Sequence, residues 1–269
     1  MGRADLLSKS WGRKLLFASL YVSEGAPIGY IWWALPTKLK DAGTPVEQVT
    51  QLTAMLTLPL AFKFMWAPLV DSVRTARWGL RAWLGAAQLC MGVALLPIIA
   101  TAPMTPAAVP LLTVLLLLHA FTAATQDVSV DALAVASVPE DERGTVNGWM
   151  QLARAVCGGV ALSAGQWGGG RGWLIALLGC VWLSMALVLG FTREPARPPA
   201  EGGFLAALWA ALSSKATWFG LAFAALAGCG FKAVGALAGP MLLDQGLSKE
   251  DAGLFFSVTA ARLAGGALG

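Results

Sequence analysis

Long apolar runs, repeated at membrane spacing, leave this chain few folds to choose from. A helix crossing ~30 Å of hydrocarbon needs about 20 mainly apolar residues. Eight such runs follow one another: Leu15–Pro36, Val49–Val70, Trp83–Ala100, Ala107–Val138, Thr145–Trp167, Trp173–Phe191, Trp218–Leu243 and Ala252–Gly269. The eighth is cut short by the last residue, and the fourth is long enough to overrun a bilayer. Only turns as brief as Ala102–Pro106 and Gly168–Gly172 separate some of them. Charged residues make up 13% of the chain, against about 25% in a soluble domain. Lipid leaves every backbone polar group to be satisfied within its own segment, so such runs become helices. The expected class is all-α, a polytopic membrane protein.

The first run begins like a secretory signal, with basic residues before an apolar core. It continues past Glu24 to Leu35 without a cleavage site, and reads as an uncleaved first span. Orientation follows from the stretch KFMWAPLVDSVRTARWGLRAW, Lys63–Trp83, where a basic loop joins two apolar runs. Arg3, Lys9, Arg13, Lys14, Arg74, Arg77, Arg81, Arg143, Arg193, Arg197 and Lys215 fall on one side of the proposed membrane. Only Lys38, Lys40, Arg171 and Lys249 fall on the other. Basic loops stay in the cytoplasm, which places the N-terminus there. The net charge of +4 is spread over separate loops, and no aromatic-studded basic patch suggests nucleic acid. Cys90, Cys157, Cys180 and Cys229 stand singly in apolar runs, without metal-site or redox spacing. Most tryptophans, such as Trp66, Trp83, Trp167, Trp173 and Trp218, flank the spans as interfacial anchors.

The segment REPARPPAEGG, Arg193–Gly203, is too rich in proline and charge for a helix and reads as a linker. Phe204–Leu212 then suits a short helix on the cytoplasmic surface. The expected domains are residues 1–192, a six-helix transmembrane bundle; 193–214, a cytoplasmic linker; and 215–269, an incomplete second bundle of about two helices. LKDAGTPVEQ (Leu39–Gln48) and LLDQGLSKED (Leu242–Asp251) share Leu, Asp, Gly and Glu at an offset of 203 residues. They follow spans one and seven, the pattern of a parallel repeat of six-helix halves, as in major facilitator transporters.

Four stretches carry a family resemblance: SEGAPIGYIWWALPTKLKDAG (Ser23–Gly43), LPLAFKFMWAPLVDSV (Leu58–Val73), ATQDVSVDALAV (Ala124–Val135) and VPEDERGTVNGWMQLAR (Val138–Arg154). With these the chain resembles the AmpG-type permeases of the major facilitator superfamily, a group related to the acetyl-CoA transporters. The resemblance implies a proton-driven importer in the bacterial inner membrane; in the best-known members the solute is a muropeptide. The superfamily's loop after span two usually reads G-x-x-x-D-R-x-G-R. Here Ala67 and Ser72 replace its first glycine and its arginine, Asp71 keeps its place, and basic residues follow at Arg74 and Arg77. A gating role for Asp71 and Arg74 is expected on that likeness. Members carry about twelve spans, so the chain reads as C-terminally truncated, and would need a partner chain if it truly ended at Gly269.

A charge at mid-membrane costs at least ~2.5–3.5 kcal/mol and persists only when paired, wetted or functional. Glu24 lies ten residues into span one, and Arg154 eleven residues past Arg143 in span five. At ~1.5 Å per residue both reach the middle of a ~30 Å core. Spans one and five are neighbours in the implied fold, so a Glu24–Arg154 pair is expected. It either exchanges a proton on Glu24 for an anionic solute group on Arg154, or is a structural ion pair that fixes packing. Nearer the cytoplasm, Lys63 and Asp131 sit at similar depth, with Asp127 one turn deeper on the same helix face. They form either a gate or proton relay, or a clamp on the helix ends. His119 is a proton relay or a packed residue bonded to a backbone carbonyl, and Lys232 is a further solute contact. Gly25-Ala-Pro27-Ile-Gly29 is expected to kink span one beside Glu24, and Gly158–Gly165 offers a small-residue packing face.

The function expected is proton-coupled import of an anionic solute by alternating access, with no enzymatic activity, no cofactor and no metal. Two alternatives stand beside it. Asp127-Val-Ser-Val-Asp131 is also a DxxxD pattern that would hold Mg²⁺ in a membrane-embedded transferase, and a truncated chain would also suit a remnant that no longer transports.

Overall fold

A computed structural model describes residues 5–73, 78–100, 105–166, 170–194, 203–223, 226 and 245–246. Nine helices are named here: α1 (Ser10–Gly29), α2 (Leu35–Asp41), α3 (Val46–Ala61), α4 (Ala67–Ser72), α5 (Leu80–Ala100), α6 (Val109–Ser137), α7 (Arg143–Gln166), α8 (Gly170–Phe191) and α9 (Gly203–Ser213). No strand occurs among the described residues. By length and composition alone, Leu80–Ile99 and Pro106–Ser137 suffice to cross a bilayer. At ~1.5 Å per residue, the 29 residues of α6 reach ~44 Å and do overrun the hydrocarbon. These two and the other long helices carry polar residues near their middles, such as Glu24, Gln88, Gln126 and Arg154, where the chain builds its site.

The α-helix of span one contains Pro27 and runs to Gly29, and a π-turn, Tyr30–Ala34, follows before α2. Such wide turns commonly interrupt helices beside functional residues. Span two differs from the break expected at Pro68. Pro68 does not break it but opens α4, where its missing N–H is harmless. Its ring crowds the carbonyl four residues earlier, and the break falls upstream in a 3₁₀ turn, Lys63–Met65. Spans seven and eight lie almost wholly outside the described residues.

After α2 the chain turns on a glycine. The Gly43 N–H donates to Lys40 O (3.0 Å) and the Thr44 N–H to Leu39 O (2.9 Å), which satisfies two terminal carbonyls. Gly43 adopts φ +85°, and Gly246, its counterpart 203 residues on, adopts φ +89°. The repeat seen in the sequence therefore extends to a backbone conformation that only glycine takes freely.

The helices α1, α5, α6, α7 and α8 pack side by side, with α3 against α6. Their apolar contacts form two layers. One joins Ala26, Leu35, Leu52, Leu95, Leu116 and Ala161. The other joins Phe17, Leu20, Leu84, Val130, Met150 and Val188. Glu24 of α1, Gln88 of α5, Gln126 of α6, Arg154 of α7 and Ser184 of α8 fall between these two sets. Hydrogen bonds staple one end of the bundle. Arg13 binds Glu142 through Nε (2.9 Å) and Nη2 (2.6 Å). The Glu194 carboxylate accepts from the N–H groups of Leu80 (2.8 Å) and Arg81 (3.2 Å) at the start of α5, where a negative charge suits the helix dipole.

Candidate functional site

The polar layer between the two apolar sets has a charged side and a neutral side. On the charged side, α1 supplies Glu24 and α7 supplies Arg154, with Nη2 3.4 Å from Oε1. The sequence placed both at one depth, and the fold brings them together. Glu24 is 1% exposed and Arg154 36%, so the carboxylate is sunk behind a guanidinium that reaches the surface of the bundle.

The same layering recurs beside it. Lys63 Nζ bonds Asp127 Oδ2 and lies 4.0 Å from Asp131 Oδ2. The expected meeting of Lys63 and Asp131 is present, and Lys63 also reaches Asp127, one turn deeper. The Asp127 side chain is 8% exposed, Lys63 37% and Asp131 54%. Tyr21, from α1, ties the two carboxylates together, its hydroxyl 3.3 Å from Asp127 Oδ1 and 3.4 Å from Asp131 Oδ1. Three carboxylates thus share two cations, and the two deepest carboxylates lie behind the cations. A cleft of about 200 Å³ opens beside Asp131, walled by Val135, Val138, Arg143, Asn147 and Met150.

The neutral side is a buried amide network. Gln88 Nε2 donates to Ser184 Oγ (2.6 Å) and Ser23 Oγ (3.2 Å). Gln126 Nε2 donates to Leu20 O (3.0 Å) and Ser23 Oγ (3.2 Å). The Ser23 hydroxyl donates to Leu20 O (2.6 Å). These residues lock α1, α5, α6 and α8 to one another at mid-height. His119 is buried nearby, with Nδ1 3.3 Å from Met91 O, a contact in which a protonated Nδ1 donates. Its geometry is that of the packed histidine.

Asp71 is exposed within α4. Arg74, Arg77 and Lys232 lie outside the described residues, as does Cys229, while Cys90, Cys157 and Cys180 are free thiols. Sequence reasoning passed over Tyr21, Ser23, Gln88, Gln126 and Ser184. The signal was there in part: an amide inside an apolar run is costly unless hydrogen-bonded, so Gln88 and Gln126 called for partners.

The family model described as Major Facilitator Superfamily matches residues 17–269. The anhydromuropeptide permease of Escherichia coli K12 is 31% identical over 179 residues, which take in 62% of this chain and 35% of that protein. Its counterpart in Escherichia coli O157:H7 matches to the same extent. An uncharacterized protein of Haemophilus influenzae is 29% identical over 164 residues, 59% of this chain and 38% of the relative. The matches thus span little more than a third of these relatives' lengths. The likeness to AmpG-type permeases seen in the sequence is borne out, and so is the all-α membrane fold. The chain belongs to the major facilitator superfamily.

Proposed function

We propose that this chain serves as a secondary active transporter in a bacterial inner membrane, importing an anionic solute such as a muropeptide by alternating access. The observation that carries the reading is the layering of charge. Arg154 and Lys63 stand at the surface of the bundle with Glu24 and Asp127 buried behind them. Each buried carboxylate holds a cation in place and, when protonated, frees it for an anionic group of the solute. Glu24 and Arg154 form the central exchange pair, and Lys63, Asp127 and Asp131 form the gate or relay, with Asp71 and Arg74 acting at the inner loop. The two Escherichia coli relatives, named anhydromuropeptide permeases, supply the solute class. The N-terminus lies in the cytoplasm, on the side where Arg13, Arg81, Arg143 and Arg193 collect, and residues 1–192 form the first bundle.

The Mg²⁺-transferase reading of Asp127 and Asp131 is weakened by Lys63, whose ammonium already occupies the place between these carboxylates. The test is uptake of a labelled anhydromuropeptide by cells carrying the chain, with and without a collapsed proton gradient. Gradient-dependent uptake that Glu24→Gln abolishes is the expected result. Uptake indifferent to both the gradient and Glu24→Gln would count against the reading.

A further inference from the structure

Glu24 and Arg154 belong to helices that meet more closely than side chains permit. A methyl group at Gly25 would lie 2.6 Å from Arg154 O and 2.7 Å from Arg154 Cα. One turn on, a methyl at Gly29 would lie 2.1 Å from Gly158 O and 2.7 Å from Gly158 Cα. These are backbone atoms and cannot swing aside as a flexible side chain would. Seen from the other helix, a methyl at Gly158 meets only Gly25 O at 3.3 Å, a contact relieved by a few tenths of an ångström. The contact therefore depends on the glycines of α1, and the residue that Gly25 faces is Arg154 itself.

We propose that Gly25 is a positioning residue for the Glu24–Arg154 pair: its bare Cα lets the Arg154 backbone lie against α1, which brings the guanidinium to the carboxylate one residue earlier. A side chain at 25 moves α7 outward at the level of Arg154. The reach from Nη2 to Oε1 is already 3.4 Å, and among the described residues neither Glu24 oxygen has another hydrogen-bond partner. Glu24 would then have no compensation for its burial. The proposal rests on the exchange-pair reading for its consequence in transport, but its geometry can be tested without transport.

The experiment is a double-mutant cycle on thermal unfolding of the purified full chain in detergent. Parent, Glu24→Gln, Arg154→Gln and the double variant are measured in three backgrounds: Gly25, Gly25→Ala and Gly158→Ala. Non-additivity isolates the interaction from any general loss of stability. In the parent background the cycle is expected to depart from additivity by about 2–4 °C for each kcal/mol of coupling. Gly25→Ala should abolish that departure, and Gly158→Ala should keep it. An undiminished departure with Gly25→Ala overturns the proposal.

Because a purified Gly25→Ala chain can aggregate, the same question is put in native membranes. Arg154→Cys, in a chain whose four cysteines are replaced by serine, is labelled with a cationic and a neutral methanethiosulfonate. Glu24 should favour the cationic reagent severalfold with Gly25, and Gly25→Ala should lower that ratio to the value set by Glu24→Gln. An unchanged ratio again overturns it. If these tests succeed while uptake proves absent, the transport reading fails and the positioning role stands.

Discussion

The two sides of the polar layer lie at one height, between the same apolar sets, yet they are built in opposite ways. On the neutral side, Gln88, Gln126, Ser23 and Ser184 are at most 2% exposed and tie four helices together through dipoles. On the charged side, every ion pair keeps one member near the surface: Arg154 over Glu24, Lys63 over Asp127. The reason is the cost of burial. A neutral amide whose Nε2 protons are both engaged can be buried even with its Oε1 left without a partner among the described residues, as in Gln88 and Gln126. Burying both members of an ion pair instead sets a desolvation penalty of several kcal/mol per ion against their attraction. That contrast suits the amides to fixed packing and, on the proposed function, the ions to exchange of partners.

The largest expected effect breaks the charged side. Arg154→Gln leaves Glu24 buried without a counter-charge. It should cost roughly 3 kcal/mol, the low end of the range for a broken buried pair because Arg154 is partly exposed. Glu24→Gln, which leaves the exposed partner behind, should cost distinctly less. Thermal unfolding of the two variants reads this asymmetry directly, and equal losses would remove the layering argument.

Next comes the neutral side. Gln126→Leu removes the bonds to Leu20 O and Ser23 Oγ and should cost about 1–3 kcal/mol, with the KM for solute unchanged. Lys63→Gln should do the reverse and raise KM. A Gln126→Leu variant that raises KM as much as Lys63→Gln would erase the distinction between the two sides. Asp131→Asn is expected to alter stability by only about 0–1 kcal/mol, since the group is 54% exposed, while still lowering uptake.

The smallest effect belongs to the staple at the bundle's end. The hydrogen bond from Arg13 holds the Glu142 carboxyl below its ordinary range. A carboxyl so lowered contributes stability above the unfolded value of ~4.3, and loses it as pH falls through the lowered folded value. Melting scans in that acid window should show a small loss in the parent chain that Glu142→Gln lacks.

Much of this arrangement could be read from the residues. Apolar runs gave the helices because backbone groups in lipid have no other partners, and depth counting along straight helices brought Glu24 and Arg154 to one level. Counting was coarser at Lys63: it set Lys63 beside Asp131, which lies 4.0 Å away, without showing that Lys63 also bonds Asp127. The glutamine network stayed hidden for another reason. Charges announce themselves in apolar runs, but an amide's partners depend on which helices meet, and that follows only from the packed structure.

The most direct test of the exchange-pair account is uptake of a labelled anhydromuropeptide into proteoliposomes of the full chain under an imposed pH gradient, comparing the parent with Glu24→Gln. The account predicts gradient-driven accumulation in the parent and none above background in Glu24→Gln, at equal reconstituted protein. Accumulation in Glu24→Gln equal to the parent would contradict it, and would leave the Glu24–Arg154 pair a clamp between helices.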